Sequence, residues 1–182
     1  MPDQQVGVPT IDGRLEEPEW SAADQSALPA RPYKSGAFLQ IRTTDTEILL
    51  GLTIPLSVAK EPCVLILVAP FMEPPLQTTP RYQVRCLSDG ALDGAYLEGA
   101  TSTAWPCTWR TARAQTDLAT TIEFSISRTA LGWFPAQTPT SRVLRANLLV
   151  FADHHDDQNP VLAWGYPIAE ELQHGLLLTF KS

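Results

Sequence analysis

Positive charge is scarce in this chain. Thirteen Lys and Arg stand against twenty Asp and Glu, a formal net charge of -7. Phosphate recognition needs a positive field, so nucleic acid and anionic membrane surfaces are excluded as expected partners. No apolar run approaches the roughly 20 residues that cross a bilayer as a helix. The opening MPDQQVGVPT has neither a basic nor an apolar leader region, so the chain as written carries no secretory signal and reads as cytoplasmic if it is full length. Cysteine is limited to Cys63, Cys86 and Cys107, widely spaced and without a CxxC pair, which predicts buried free thiols.

Catalytic signatures are missing too. The sequence has no G-x-S-x-G elbow, no H-E-x-x-H, no glycine loop to cradle phosphate and no paired Cys/His signature. Its carboxylates form no couple fixed by spacing as acid and base. The expectation is a protein that is not an enzyme. Charged residues make up 18% and hydrophobic residues 44%, so the chain is poor in charge yet apolar enough to fold. Its 182 residues suit a single domain, 1–182, with a sizeable core.

What is abundant is punctuation. Sixteen prolines and ten glycines leave no room for long helices. Between them the apolar residues alternate. EILLGLTI sets Ile48, Leu50, Leu52 and Ile54 on one side, and TTIEFSIS sets Ile122, Phe124 and Ile126 against Glu123, Ser125 and Ser127. Period two marks a strand with one buried face. RYQVRCL (81–87) alternates likewise, with Gln83 and Arg85 on one face. CVLILVA (63–69) and ANLLVFA (146–152) are short continuous apolar runs, which predict strands buried on both faces. Thr43–Thr46 forms a hairpin turn, and SDGALDG (88–94) holds an Asp-Gly pair at each end, read as turn chemistry. The helical signal is confined to one or two short turns at 127–132 and 167–175. The predicted fold is all-β: one antiparallel β-sandwich, jelly-roll-like, with those short helical turns.

The order of the motifs then becomes informative. IDGRLEEPEWSAA (11–23) resembles the opening of family 9 carbohydrate-binding modules and the related DOMON-like sandwiches. TDTEILLGLTI, RYQVRCLSDG, TTIEFSISRTALG, RANLLVFAD and HGLLLTF follow in the order of that family's strands, with Glu123 at the position of its buried-edge Glu. The resemblance implies a non-catalytic module that binds an oligo- or polysaccharide between two tryptophans, with calcium nearby and a secreted or periplasmic location. The chain departs from that pattern at the site. LSVAKEPCVLILVAP and GYPIAEELQHG lack the two clamp tryptophans, and Gln83 stands where the family has a sugar-contacting Arg. The expected function is carbohydrate binding by a degenerate or rearranged site. The alternatives are a structural or interaction sandwich that has lost the sugar, and a haem- or metal-binding DOMON-type domain, for which Met72 and His154, His155 or His174 would supply axial ligands.

The candidate carbohydrate-contacting residues are Gln83, Arg85, Trp105, Trp109, Asn147, Trp164 and Tyr166. Indole and phenol rings stack on the apolar faces of sugars, while amides and charges take the hydroxyls. The DHHDD run offers Asp153, His155 and Asp157 as metal ligands, although a solvated loop explains it equally. No resident cofactor is expected. Trp20 is read as a structural bolt, and Asp12-Gly13 as the turn that brings the N-terminal strand into the sandwich.

Overall fold

Short alternating segments cannot bury their apolar faces alone, and here they solve the problem by stacking two sheets. The computed structural model describes residues 10–15, 18, 20, 24–27, 36–44, 47–70, 81–98, 100–127, 143–152, 160–163 and 176–179. Their strands are β1 (Asp24–Ala27), β2 (Phe38–Thr43), β3 (Glu47–Pro55), β4 (Cys63–Pro70), β5 (Arg81–Cys86), β6 (Leu92–Glu98), β7 (Thr101–Ala104), β8 (Arg110–Gln115), β9 (Ala119–Ser127), β10 (Val143–Phe151), β11 (Leu162–Ala163) and β12 (Leu176–Thr179). One sheet runs β1-β2-β3-β9-β8 and the other β11-β10-β4-β5-β6-β7, with β12 also on β10. Every pairing is antiparallel. The all-β sandwich expected from the alternation is what forms. Of the helical turn predicted at 127–132, Ser127 ends β9, and residues 128–132, like the turn predicted at 167–175, lie outside the described residues.

The period-two sets meet between the sheets. Ile48 to Ile54 of β3 and Ile122, Phe124 and Ile126 of β9 pack against Val64, Ile66 and Val68 of β4 and Val84 of β5. The continuous runs are buried on both faces, as their composition predicts. Cys63, Leu65, Leu149 and Phe151 make a second apolar cluster on the outward face of β4 and β10. The β2–β3 hairpin is closed by Thr44, whose amide donates to the Glu47 carbonyl at 2.8 Å and whose hydroxyl accepts from the Glu47 amide at 2.9 Å.

One alternating strand is buried on both faces, where alternation alone predicts one buried face and the resemblance a buried Glu at 123. Glu123 and Ser125 point away from the core, yet Glu123 is 0% exposed. Residues 10–15 and Trp20 lie over Glu123 on that outer face. The Trp20 indole Nε1 donates to Glu123 Oε1 at 2.8 Å, and the Asp12 and Gly13 amides both donate to Glu123 Oε2. Thr121 Oγ1 in turn donates to the Gly13 carbonyl. Two glycines make room. At Gly51, in the middle of β3, a Cβ would stand 2.5 Å from Leu15 Cδ2 and 3.3 Å from Trp20 Cη2. Gly13 has φ 88°, and its Cβ would stand 2.8 Å from the Ala114 amide nitrogen. Residues 10–15 form no strand themselves, and the Asp12 and Gly13 amides are spent on a carboxylate ahead of β1. Trp20, 1% exposed, is the bolt the sequence suggested.

Burial raises the Glu123 carboxyl above its ordinary range, and the Gly13, Asp12 and Trp20 N–H donors pull it back part of the way. A Gln at this position would turn an N–H₂ toward donors that need an acceptor. Glu123→Gln is expected to lose about 1–3 kcal/mol in urea unfolding, and Trp20→Ala about 3–5 kcal/mol. A raised folded pKa means the protonated form carries the stability. That contribution is complete below the unfolded carboxylate range and is lost as pH rises through the raised value. The stability gap between wild type and Glu123→Gln should therefore widen as pH falls from 7 toward 4. A gap that narrows would contradict the assignment.

Candidate functional site

The candidate polar residues gather on one surface. The core takes Tyr82, Val84 and Cys86 of β5, so Gln83 and Arg85 between them point outward from the seven-stranded sheet. The register carries the same face across neighbouring strands: Asn147 opposes Leu67, Leu67 opposes Gln83, Gln83 opposes Ala95 and Ala95 opposes Ala104. Beside that row, Leu65 opposes Arg85 and Arg85 opposes Asp93. Exposure increases from one side of this face to the other. Asn147 is 1% exposed and hydrogen-bonds the Leu148 amide through Oδ1 at 2.8 Å. Gln83, Arg85 and Ala95 are half-exposed, and Asp93 and Ala104 are exposed. The accessible part is therefore a shallow platform on β5, β6 and β7, with an amide, a guanidinium and a carboxylate around a floor of alanine.

Of the candidate tryptophans, Trp105 and Trp109 lie on the other side of the same sheet. Trp105 and Trp109 sit in the connection from β7 to β8, which passes from one sheet to the other. Trp105 packs at a tilt of 55° on Tyr82 with ring centroids 4.6 Å apart and meets Trp109 edge-on at 6.1 Å, and Tyr82 lies 5.2 Å from Tyr96. Trp109 is 5% exposed and belongs to the core, with its indole N–H lacking an acceptor among the described residues. Trp105 is half-buried. The structure thus separates the expected site into an outward polar platform and an inward aromatic group. Trp164 and Tyr166 lie outside the described residues, as do Trp133, the proposed metal ligands Asp153, His155 and Asp157, and the haem candidates Met72, His154 and His174. Among the described residues no group of three or more His, Cys, Asp or Glu could hold a metal. None of the described helices is long and apolar enough to cross a membrane.

The second Asp-Gly pair of SDGALDG is the residue signal that misled. Asp89-Gly90 does form the turn, with φ 87° at Gly90 and the Ala91 amide bonded to Asp89 Oδ1 at 2.9 Å. Asp93-Gly94 instead lies inside β6. Gly94 is there because the Trp105 loop crosses directly above it. Its carbonyl accepts the Trp105 amide at 2.9 Å, and a Cβ would stand 2.6 Å from the Trp105 carbonyl and 3.1 Å from Cε3 of its ring. Leu92, Gly94 and Tyr96 have period two, the signal by which β6 and its inward Tyr96 were readable.

Two further groups inside the sandwich are structural. Arg113, on the inward face of β8, donates from Nη1 to the Pro62 carbonyl at 2.9 Å and clasps the two sheets at that end. Cys86 is fully buried, and burial pushes its thiol up to about 11 against the opposing pull of Thr111 and Arg113. Cys63 is buried too and Cys107 half-buried, and all three are free thiols.

No family model matches the chain, and no curated protein matches it. Among solved structures it is similar to the crystal structure of a provisionally assigned carbohydrate-binding protein from Bacteroides uniformis. The TM-score is 0.63 over 88% of each chain, at 16% sequence identity. The two chains share a fold. At that identity the likeness extends to the sheet architecture and leaves each site to be argued from its own residues.

Two outcomes check this placement. Gly94→Ala must displace the Trp105 loop, and is expected to destabilise by about 1–3 kcal/mol with a shift in tryptophan emission. Ellman's reagent at pH 8 should leave Cys63 and Cys86 unmodified in the folded protein and reach them on unfolding in urea. Rapid modification of all three thiols under native conditions would contradict their burial.

Proposed function

We propose that the protein is a non-catalytic carbohydrate-binding domain of the kind its sequence resembles, family 9 modules and DOMON-like sandwiches, with a rearranged sugar site. The observation that carries this reading is the outward platform on β5 and β6. Gln83 and Arg85, two residues apart on an inner strand, place an amide and a guanidinium on the half-exposed outward face across from Ala95 and Asp93. A rigid sheet holds these groups at fixed spacing, so little ordering is needed when a ligand arrives. Amide, guanidinium and carboxylate together supply the donors and acceptors that neighbouring sugar hydroxyls demand, and the alanine floor admits a flat ring. The fold shared with a protein provisionally assigned as carbohydrate-binding supports the same reading.

A structural or interaction role without sugar is the second reading. The burial of Trp20, Trp109 and Asn147 favours it, because three of the residues most suited to a sugar are used to hold the fold.

A glycan array followed by titration calorimetry on the hits discriminates the two. The first reading expects a saturable glycan, with the Gln83→Ala/Arg85→Ala variant at least about tenfold weaker. The variant's stability should stay within about 1 kcal/mol of wild type, since both side chains are half-exposed. No binding to any glycan on the array would favour the second reading.

A further inference from the structure

The two sheets are not equally wide at the β7–β8 side. Thr111 and Arg113 of β8 lie close enough to Cys86 on β5 to favour its thiolate, and Arg113 donates to the Pro62 carbonyl just before β4. The edge strand of the five-stranded sheet therefore stands over β4 and β5. β7 is exposed along its whole length, and the inward face of β6 beside it is only partly covered, so the two form an overhanging ledge. Tyr96 on this ledge is half-exposed, and Thr103, directly opposite Tyr96 in the register, is exposed. Trp105 forms its back wall.

That wall is fixed from several sides. The Trp105 amide is tied to Gly94, its ring lies over the bare α-carbon of Gly94 and against Tyr82, and Trp109 abuts it at an interplanar angle of 78°. Behind it the Trp109 indole N–H is buried with no acceptor among the described residues. Closing a sandwich edge requires apolar bulk. It does not require a chain of four aromatic rings in pairwise contact with two of them left half-open beside an exposed hydroxyl. A preorganised indole face beside a phenol and a threonine hydroxyl is what a pyranose ring needs. The C–H face stacks, and the adjoining hydroxyls find partners.

We propose that the β6–β7 ledge is a second sugar-contacting surface, built from Trp105, Tyr96 and Thr103 and suited to a neutral pyranoside. The inference rests on the carbohydrate-binding reading, but it uses a surface on the opposite face of the sheet from Gln83 and Arg85. Trp105 supplies the stacking plane, while Tyr96 Oη and Thr103 Oγ1 take ring hydroxyls.

The test is titration of the ¹⁵N-labelled full chain with cellotriose, xylotriose and lactose, following the tryptophan indole N–H resonances, with glycerol at matched hydroxyl concentration as control. Trp20, bonded to Glu123 on the other sheet, is an internal reference. The expected result is a saturable shift of the Trp105 and Trp109 resonances with at least one sugar, no shift of Trp20, and no response to glycerol. Thr103→Ala and Tyr96→Phe keep the packed rings in place, and each should weaken binding about fivefold, the worth of one hydrogen bond. Binding by calorimetry with the Trp105 and Trp109 resonances unmoved and both variants at wild-type affinity would overturn the ledge and leave the outward platform standing. No calorimetric binding of any of these sugars, together with an empty glycan array, would overturn the ledge and the carbohydrate reading alike.

Discussion

The Glu123 carboxylate is the point to which the outer layer of the five-stranded sheet is tied. It sits on an inner strand, faces away from the core, and accepts from two backbone amides and one indole of a segment more than a hundred residues earlier in the chain. A carboxylate placed there would ordinarily remain in water. Burying it costs several kcal/mol unless its lone pairs are met. Asp12, Gly13 and Trp20 meet them, and Trp20 and Leu15 come to lie over Gly51 in the middle of the sheet. The dependence runs both ways. Without Glu123 the amides of Asp12 and Gly13 have no sheet to pair with, and without the segment the carboxylate has no reason to be buried.

This arrangement constrains other positions. Gly51 interrupts an otherwise β-branched and leucine-rich strand because Leu15 and Trp20 occupy the space of its side chain. Gly13 takes a left-handed conformation because Ala114 leaves no room for a Cβ. Gly94 plays the same part on the other sheet beneath Trp105. At each of these glycines the backbone of one layer approaches the side chains or backbone of another. The sandwich is thus closed at its outer face by a carboxylate and at its β7–β8 edge by an aromatic group.

The consequence for function is a division of labour among residues of similar chemistry. Trp20 and Trp109 are committed to packing, while Trp105 is fixed but half-open. Gln83 and Arg85 share a strand with Tyr82 and Val84 and point the opposite way. Pleating by itself therefore puts polar groups on one surface and aromatic groups on the other. A chain without the paired clamp tryptophans of the family it resembles can still offer hydrogen-bonding and stacking groups, but on two separate surfaces.

The sequence by itself determined the sandwich. Alternation in β3, β5 and β9, and the doubly apolar runs of β4 and β10, follow from local chain geometry, in which successive side chains point to opposite faces. It also marked Trp20 as a bolt and the three thiols as free. What covers a face is not local, so alternation in β9 does not give the burial of Glu123 and Ser125: residues 10–15 and Trp20 cover the first, and Glu47 and Arg110 hold the second. For the same reason Asp93-Gly94 read as a turn until Trp105 was seen to occupy the space above it. Which of the tryptophans remain open to a ligand was likewise a tertiary matter, because it depends on how much of β6 and β7 is left uncovered beside the opposing sheet, a quantity no single segment encodes.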